Sequence, residues 1–368
     1  MANRRQKAIS RSIIRALTRR GTARISLIQR IIAFFHIYYL ILIRYEKELF
    51  QKLHTEVWRL SEEEYISCFK KDGKSSLVSM GDLGFSGSVR TFFSQLIAFN
   101  YHGRSKSNST EQTFFRTSNS AFLVKSVPRH FEHSFFRKDL LEPYYQYMRN
   151  HPESLLVWIT DYIYAPYTSI GSILRTSPAH HIIMDNMLYG KEEQPDGEKW
   201  ETYDLKPINY FYPERDLVPD PLVSEDTLER LADKFEDKVR LSRKNYEAVK
   251  RTLETDTAFL ASANIVDYSL FLVRFPASLK PGSLGRKTQW RVGVTSADGI
   301  WKYRAVVLDF FWAKHKLHAQ AMTGAVEAFN VIGRQGPMSI TTTADEYREK
   351  FLTMVDEMME VHVQPSEQ

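Results

Sequence analysis

Apolar residues recur along the chain after residue 60 in two spacings that predict strands and helices. Short apolar or alternating runs bounded by turn residues predict strands in TFFRT, AFLVKSV, LLVWITDYIY, HIIMDNMLY, YSLFLVRF, QWRVGVTS and WKYRAVVLD. The first two runs flank SNS and predict a β-hairpin. Apolar positions three or four residues apart predict helices over residues 61–71, 88–99, 130–149, 226–262 (broken once), 315–330 and 343–359.

Polar segments rich in glycine and proline separate these elements and predict loops. They are HGRSKSNST, KEEQPDGEK, PERDLVPDPLVSED and FPASLKPGSLGRK. The resulting order is a β-rich half with one helix, followed by a mixed half dominated by helices. This order is compatible with a bilobal, kinase-like α+β fold, but periodicity alone does not select that fold over other α+β arrangements.

Composition narrows the class of protein. A chain of 368 residues with 43% hydrophobic residues can bury a sizeable core and has room for two domains. Cys68 is the one cysteine, which excludes an intrachain disulfide and a cysteine-rich zinc module. We therefore expect an intracellular protein.

Charge is distributed unevenly along the chain. The net charge is +6, but the residues before Glu46 hold ten Lys or Arg and no acid. The remainder carries 40 basic and 44 acidic residues, a net of −4. Because a nucleic-acid-binding body concentrates positive charge on its folded surface, we expect no nucleic-acid partner.

The basic N-terminal arm has two parts, an arginine-rich segment over residues 4–24 and an apolar run over residues 31–43. Thirteen residues of helix span about 20 Å, less than a hydrocarbon core of about 30 Å. Three interpretations stay open: a helix packed on the body, an arm that meets an anionic membrane, and a mitochondrial transit peptide. A secretory signal fits poorly, because no small-residue cleavage site follows the apolar run.

Generic site motifs are mostly absent from the sequence. There is no GxxxxGK[ST], HExxH, CxxC or GxSxG, and the pair His180-His181 lacks metal-ligand spacing. Gly81, Gly84 and Gly87 suggest a phosphate cradle, but the segment VRTFFSQL that follows them reads as a helix. We therefore interpret these glycines as a loop that enters a helix.

A dispersed constellation of charged residues is more informative. Lys125 ends an apolar strand, Glu132 lies on the next helix, Asp267 lies between a helix and a strand, and Asp309 ends another apolar strand. Phosphoryl transfer from ATP needs a lysine on the phosphates, an acid that orients it, an aspartate at the acceptor hydroxyl and an aspartate on Mg²⁺. Each residue alone is a weak signal, because strand-end lysines and post-strand aspartates usually have structural roles.

Together the motifs resemble the phosphatidylinositol phosphate kinases. TFFRTSNSAFLVKSV with LLEPYYQYMRNHPESLLVWITDYI is similar to the N-lobe of that family, and IIMDNML and TYDLKP are similar to its MNN and DLKGS motifs. TLETDTAFLASANIVDYSLFLV resembles the MDYSLL segment, AVVLDFFWAKHKLHAQAMTGAVEAF resembles the IID aspartate with the activation loop, and GPMSITTTADEYREKFLTMV resembles the C-terminal tail. The resemblance covers about residues 80–358 in the family's order.

The resemblance implies an α+β, two-lobed fold related to SAICAR synthases and protein kinases. It divides the chain into a helical extension (1–60), an N-lobe (61–180), a C-lobe (181–360) and a tail (361–368). It implies Mg²⁺- and ATP-dependent phosphorylation of a phosphoinositide lipid at an anionic membrane surface, by a cytoplasmic protein that associates peripherally with the membrane. The sequence leaves open which hydroxyl is used and whether the chain forms a homodimer.

The resemblance also assigns roles residue by residue. The catalytic residues it implies are Lys125, Asp267 and Asp309, with Asp309 on the metal. Lys125 and Lys206 would hold ATP phosphates, Glu132 would pair with Lys125, and the segment with Met184 and Asn186 would back the adenine. Substrate-binding residues implied in the activation loop are Lys314 and Lys316.

Three departures from the family pattern keep alternatives open. The expected glycine-rich loop reads Asn108-Ser109-Thr110-Glu111-Gln112, although Gly103 lies just upstream, and glycine is replaced by Pro207 after Lys206. The paired lysines of the activation loop read Lys314-His315-Lys316. Because side chains and prolines hinder close backbone approach to phosphates, a non-catalytic lipid- or protein-binding module remains an alternative. An ATP-using enzyme for a small metabolite is a third.

Overall fold

The computed structural model describes residues 2–19, 25–71, 74–75, 77–79, 114–174, 176–193, 200–207, 235–313 and 343–362. These residues form helices and mainly antiparallel sheets, so the chain is an α+β protein, as predicted. One sheet has six strands from the first half of the chain, and a second has four strands from the second half. A continuous hydrophobic cluster joins the two halves, since it includes Tyr162 and Ile182 together with Leu270 and Val306.

The six-stranded sheet is antiparallel throughout. In spatial order its strands are β1 (Ile43–Arg44), β7 (Ile159–Tyr164), β8 (His180–Asp185), β6 (Phe122–Ser126), β5 (Phe114–Thr117) and β4 (Leu77–Ser79). Strands β5 and β6 form the predicted hairpin. Its turn is closed by Asn119, whose Oδ1 accepts hydrogen bonds from the Thr117 hydroxyl at 2.7 Å and the Ala121 N–H at 3.2 Å.

The predicted helix over residues 130–149 is confirmed, with a widened turn in its middle. It consists of α5 (His130–Phe135), a π turn (Phe136–Leu140) and α6 (Leu141–Asn150). Pro143 explains the interruption, because it has no N–H to donate to the carbonyl four residues earlier and its ring crowds that carbonyl. The helix is held on the sheet by the Tyr144 hydroxyl, which donates to the Val157 carbonyl at 2.7 Å.

The four-stranded sheet is also antiparallel. In spatial order its strands are β13 (Val294–Thr295), β14 (Trp301–Leu308), β12 (Ser269–Pro276) and β9 (Glu201–Leu205). The strand predicted for QWRVGVTS is wrong in its first half, which is the short helix α9 (Gln289–Val292). The helix turns Arg291 inward, where its guanidinium donates to the carbonyls of Ser154 and Leu156. A tertiary contact thus overrides the alternating pattern.

Two capped helices pack together in the second half. Helix α8 (Arg243–Ser262) begins after Ser242, whose hydroxyl accepts from the Asn245 N–H. Residues 235–241 of the predicted helix over 226–262 are not helical, and residues 226–234 lie outside the described residues. Helix α10 (Ala344–Met358) confirms the prediction for residues 343–359 and begins with a capping box of Thr343 and Glu346. The short strands β10 (Val239–Leu241) and β16 (Met359–Val361) pair in parallel beside them.

The remaining described elements are helix α1 of the N-terminal arm and several short helices and strands. They are α1 (Ala2–Thr18), α2 (Leu27–Phe35), α3 (Lys47–Lys52) with a π turn (Leu53–Val57), α4 (Glu62–Ser67), β2 (Lys70–Lys71), β3 (Lys74–Ser75), α7 (Ile170–Ile173), β11 (Ile265–Val266) and β15 (Trp312–Ala313). Helix α4 is shorter than the predicted helix over 61–71, and the predicted strand HIIMDNMLY ends at Asp185. The predicted helices over 88–99 and 315–330, the segment 103–112 and Gly81, Gly84 and Gly87 lie outside the described residues.

The N-terminal arm packs on the six-stranded sheet through the arginine-rich helix α1. Its buried residues Ile9, Ile13 and Leu17 share a hydrophobic cluster with Tyr65 and Phe122. One interpretation of the apolar run over residues 31–43 is a single helix packed on the body. The run does not form such a helix. Its first part lies in the exposed helix α2, whereas its second part is extended and buries Leu40 and Leu42. No helix among the described residues combines the length and apolar character needed to cross a bilayer.

A buried histidine on β8 predicts a pH-dependent stability. Burial lowers the pKa of His181 to about 4, and its Nε2 donates to the Pro178 carbonyl at 3.0 Å while its Nδ1 is buried without a hydrogen-bond partner. Because the folded state resists protonation, its stability is complete above a pH of about 6.5 and falls as the pH drops below that value. We expect about 2 kcal/mol less stability at pH 5 from this residue.

Denaturant unfolding of wild type and His181→Gln, measured from pH 7 to pH 5, checks this prediction. The variant should show a smaller loss of unfolding free energy over that interval, since one neutral buried imidazole is removed. An identical pH slope in wild type and His181→Gln would contradict the prediction.

Candidate active site

Strand register brings three of the predicted site residues to one edge of the four-stranded sheet. Ser269 at the start of β12 pairs with Leu308 at the end of β14, and Leu270 pairs with Leu205 at the end of β9. The residues just beyond these pairs are Asp267, Asp309 and Lys206. They therefore leave the sheet at the same edge, although 103 positions separate Lys206 from Asp309 in the sequence.

Lys125 reaches this edge from the other sheet. It lies on β6, and its Nζ is 2.5 Å from Asp309 Oδ1, although the two residues are 184 positions apart. The contact joins the six-stranded and four-stranded sheets directly. Both side chains are mostly buried but keep some solvent contact, with exposed fractions of 12% for Lys125 and 23% for Asp309.

A second ion pair lies beside the first. Lys206 Nζ donates to Asp267 Oδ1 at 3.0 Å and to the Asp267 carbonyl at 2.9 Å. The lysine therefore holds both the side chain and the backbone of Asp267. This contact limits the directions in which the carboxylate of Asp267 can point.

Electrostatic coupling shows that the two pairs form one cluster. Burial alone would raise the pKa of Asp309, but the positive charges of Lys125 and Lys206 hold that pKa below its usual value. Burial alone would lower the pKa of Lys206, but Asp267, Asp204 and Asp309 raise it. The charges of one pair therefore act on the titration of the other, and the two pairs form one electrostatic cluster.

The backbone of both aspartates is in the left-handed region. The φ angles are 66° at Asp267 and 62° at Asp309, where side chains other than those of Asn and Asp are rare. Residues held in this region cost about 1–3 kcal/mol each and concentrate at functional sites. The sequence patterns did not predict this backbone conformation at either aspartate.

Glu132 does not form the ion pair predicted for it. It is buried on α5, where its Oε1 lies 3.3 Å from Arg129 Nη1, and Lys125 pairs with Asp309 instead. The difference arises because Asp309 approaches Lys125 from the second sheet, a contact that sequence spacing cannot indicate.

Met184 lies near the end of β8 and Asn186 directly after that strand. Met184 is buried on β8, and the Asn186 side chain donates to the Ser120 carbonyl at 2.7 Å and accepts from the Leu188 N–H at 3.1 Å. Asn186 thus ties the segment after β8 to the β5–β6 turn. The hydrogen bonds of the Asn186 side chain therefore fix the backbone that follows β8.

Sequence reasoning missed two residues that organise the site. Arg304 on β14 is buried, and its guanidinium donates to the carbonyls of Met187, Tyr189 and Gly282, which holds the segment after β8 against the four-stranded sheet. Asp204 on β9 adds a buried negative charge beside Lys206. Asp204 is part of the TYDLKP motif, so its position in that motif could have indicated a role at the site. Nothing in WKYRAVVLD indicated that Arg304 faces inward.

The predicted substrate residues Lys314 and Lys316 lie outside the described residues. The described part of the chain holds no group of three or more His, Cys, Asp or Glu side chains arranged as a metal site. A divalent cation at Asp309 would take further oxygen ligands. Mg²⁺ commonly binds in this way, with one or two carboxylates plus substrate phosphates.

The arrangement defines an α+β protein whose candidate site pairs two lysines with acidic residues between two antiparallel sheets. Residues 93–289 match the family model of the Phosphatidylinositol-4-phosphate 5-Kinase. That match covers more than half of the chain, and the chain belongs to this family. Lys125, Lys206 and Asp267 lie within the match, whereas Asp309 lies beyond it and joins the site by geometry alone.

A mouse protein gives a second, more distant likeness. The chain is 28% identical over 168 residues to Phosphatidylinositol 4-phosphate 5-kinase-like protein 1 of Mus musculus. The similarity spans 45% of this chain and 38% of that protein. The chain thus matches well under half the length of this relative.

Proposed function

We propose that this protein transfers a phosphoryl group from ATP to the headgroup of a phosphoinositide lipid at a membrane surface. The observation that carries the proposal is the joining of Lys125 to Asp309 and of Lys206 to Asp267 in one charged cluster at the edge of both sheets. Two cations suit a polyanionic nucleotide, and separate carboxylates suit a metal and an acceptor hydroxyl. Membership of the kinase family supports the same reaction.

In this proposal the lysines bind phosphate groups, and Asp267 accepts a proton. Lys125 and Lys206 would bind phosphate oxygens and stabilise negative charge as it shifts during transfer. Asp267 would accept the proton of the attacking hydroxyl, in the orientation that Lys206 imposes. Lys314 and Lys316 would bind the phosphate groups of the lipid.

Asp309 fits the role of the Mg²⁺ ligand. Its carboxylate stays ionised because Lys125 and Lys206 depress its pKa, and an ionised oxygen donor is what this cation requires. The metal, when bound, would neutralise charge on the phosphates. Lys125 would then bind a phosphate oxygen in place of the Asp309 carboxylate that it contacts here.

The fold that we propose around this site has two lobes, related to protein kinases and SAICAR synthases. Strands β4 to β7 with α5 and α6 would form the N-lobe (61–180), although β1 and most of β8, which complete the same sheet, lie outside that range. The four-stranded sheet with α8 and α10 would form the C-lobe (181–360). Residues 1–60 would be a helical extension of the N-lobe. The segment that holds Met184 and Asn186 would back the adenine between the lobes.

A second function, a non-catalytic lipid- or protein-binding module, is favoured by a specific observation. The ammonium group of Lys125 already donates to the carboxylate of Asp309. Pro207 follows Lys206 at a position where another residue would offer a backbone N–H to the phosphates. A chain that keeps this closed pair in the presence of ATP would bind lipid without transferring phosphate.

Transfer of labelled phosphate from ATP to vesicles of each phosphatidylinositol monophosphate, with and without Mg²⁺, tests the two functions. The wild type should label at least one lipid only with Mg²⁺. Asp267→Asn should lose about 100-fold in kcat, because the proton acceptor is removed while asparagine keeps the left-handed backbone. The surface variant Asp345→Asn should keep wild-type activity.

Two results decide against the kinase proposal. Absence of Mg²⁺-dependent labelling of every lipid by the folded wild type would support the binding module. Equal activity of Asp267→Asn and wild type would remove Asp267 from the catalytic role, because no other group in the proposal accepts the hydroxyl proton.

A further inference from the structure

Helix α2 exposes its apolar side and contacts the protein through the side that carries Arg30 and Ala33. At about 100° per residue, Leu27, Ile28, Ile31, Ile32 and Phe35 fall within one sector of about 140°. Their exposed fractions lie between 50% and 70%. Ala33 is the buried residue of the helix and lies on the opposite side. This orientation is the reverse of an ordinary surface helix.

The contacts of α2 with the body maintain this orientation. The Arg30 guanidinium lies 4.3 Å from the centre of the Tyr167 ring, which holds a polar position of the helix on the protein side. The Ile37 carbonyl that follows the helix accepts hydrogen bonds from the hydroxyls of Thr176 and Ser177. Gly171 on α7 lies against the same carbonyl, so a methyl group there would overlap it.

Helix α7 enlarges the apolar surface. It contacts α2 and exposes Ile173 and Leu174 by 61% and 53%. Contiguous exposed apolar side chains of this kind mark contact sites for partners or membranes. A helix of nine residues that buries one alanine also gains little from packing, and isolated helices of this length are marginal in water. Contact of its exposed apolar side with an apolar environment would supply the stabilisation that packing on the protein does not.

Charge on the neighbouring helix identifies the occupant as an anionic bilayer. Arg4, Lys7, Arg11 and Arg15 are exposed and lie within about 80° of one another on α1, on the side opposite its buried isoleucines. Arg5 on the same helix donates to the Thr176 carbonyl at 2.7 Å, which places α1 beside the loop after α7. Exposed cations next to an exposed apolar helix are the features of an interfacial anchor.

We propose that the apolar side of α2, with Ile173 and Leu174 of α7, inserts into the surface of an anionic bilayer while the cations of α1 contact the headgroups. The inference rests on the proposed function, because a lipid kinase must reach its substrate in the membrane. Helix α2 with Ile173 and Leu174 would be the surface, among the described residues, that contacts the membrane. Contact with the membrane also explains why the first part of the apolar run lies outside the core.

Binding of the full-length chain to vesicles, without nucleotide, tests the apolar contact. The vesicles consist of phosphatidylcholine alone or of phosphatidylcholine mixed with phosphatidylserine. The double variant Ile28→Gln/Ile32→Gln should bind the mixed vesicles about 100-fold more weakly, since each lost insertion of a large aliphatic side chain costs about 10-fold. The control is Ile300→Gln, because Ile300 and Ile32 are both 59% exposed. It should bind as wild type does.

The charge contribution is measured with Lys7→Gln/Arg11→Gln. Two cations lost at about 5-fold each should weaken binding to the mixed vesicles about 25-fold and leave binding to pure phosphatidylcholine unchanged. Added salt should reduce the difference between this variant and wild type. Both substituted side chains are exposed, so thermal unfolding should not change.

Three results would overturn the proposal. The first is equal vesicle binding by Ile28→Gln/Ile32→Gln and wild type. The second is a wild-type dimer that this variant dissociates in the absence of vesicles, which would make a second copy the occupant. The third is binding that does not distinguish anionic from neutral vesicles. Normal vesicle binding without phosphoryl transfer would refute the proposed function and leave this inference standing.

Discussion

Replacing Asp309 by asparagine should lower Mg²⁺-dependent phosphoryl transfer by about 1,000-fold or more while the protein stays folded. The substitution removes the negative charge that a divalent cation needs, and a metal ion contributes several kcal/mol to charge stabilisation in such reactions. Asparagine tolerates the φ of 62° at this position, so the backbone should not change. Its amide oxygen can still accept a hydrogen bond from Lys125, which limits the loss of stability to about 1 kcal/mol.

The control for this variant breaks a lysine–aspartate pair elsewhere. Asp356 on α10 accepts from Lys250 Nζ at 2.7 Å at the protein surface, so Asp356→Asn makes the same chemical change away from the site. Nucleotide binding with and without Mg²⁺ should be altered in Asp309→Asn and normal in Asp356→Asn. Unchanged Mg²⁺-dependent binding and turnover in Asp309→Asn would exclude Asp309 as the metal ligand.

Deleting residues 1–45 should unfold the protein or cause it to precipitate. The deletion removes six large buried aliphatic side chains: Ile9, Ile13, Ile14, Leu17, Leu40 and Leu42. At about 1.5–3 kcal/mol each, they contribute roughly 9–18 kcal/mol, which is comparable to the whole stability of a typical protein. The deletion also removes Arg44, whose Nε lies 2.8 Å from the fully buried carboxylate of Asp161. An uncompensated buried charge would remain.

Point variants on α1 separate packing from charge. Ile13→Asn places a polar group in the core and should lower the unfolding temperature by several degrees, whereas the exposed neighbour Arg11→Asn should leave it nearly unchanged. Circular dichroism during heating measures both. A truncated chain that unfolds cooperatively at the wild-type temperature would show that the arm does not stabilise the body.

Local patterns predicted the elements whose conformation is set by nearby residues. The β5–β6 hairpin, the helix over 130–150 and helix α10 follow from turn residues, apolar spacing and caps that act within a few positions. The same reasoning placed Lys125 and Asp309 at strand ends. Sequence order also led to the resemblance with the kinase family, which the family match confirms.

Other features depended on contacts between distant segments. QWRV alternates as a strand does, but Arg291 must reach the carbonyls of Ser154 and Leu156, so a helical turn forms instead. The N-terminal arm also packs differently from what its average hydrophobicity suggests. The arginine-rich segment is buried through its isoleucines, and the more apolar segment over 31–35 stays exposed. Burial depends on which side of a helix meets a neighbour, and average hydrophobicity does not report that side.

The sequence by itself determined the residue types at the site, their order along the chain and the α+β character of the protein. Only the tertiary structure decided that Lys125 pairs with Asp309 rather than Glu132, and that Arg304 holds the segment between the two sheets. The physical reason is strand register. One pairing of β12 with β14 brings Asp267 and Asp309 to the same edge, and a shift by one residue would separate them. Register is set by the packing of whole sheets, which no local pattern specifies.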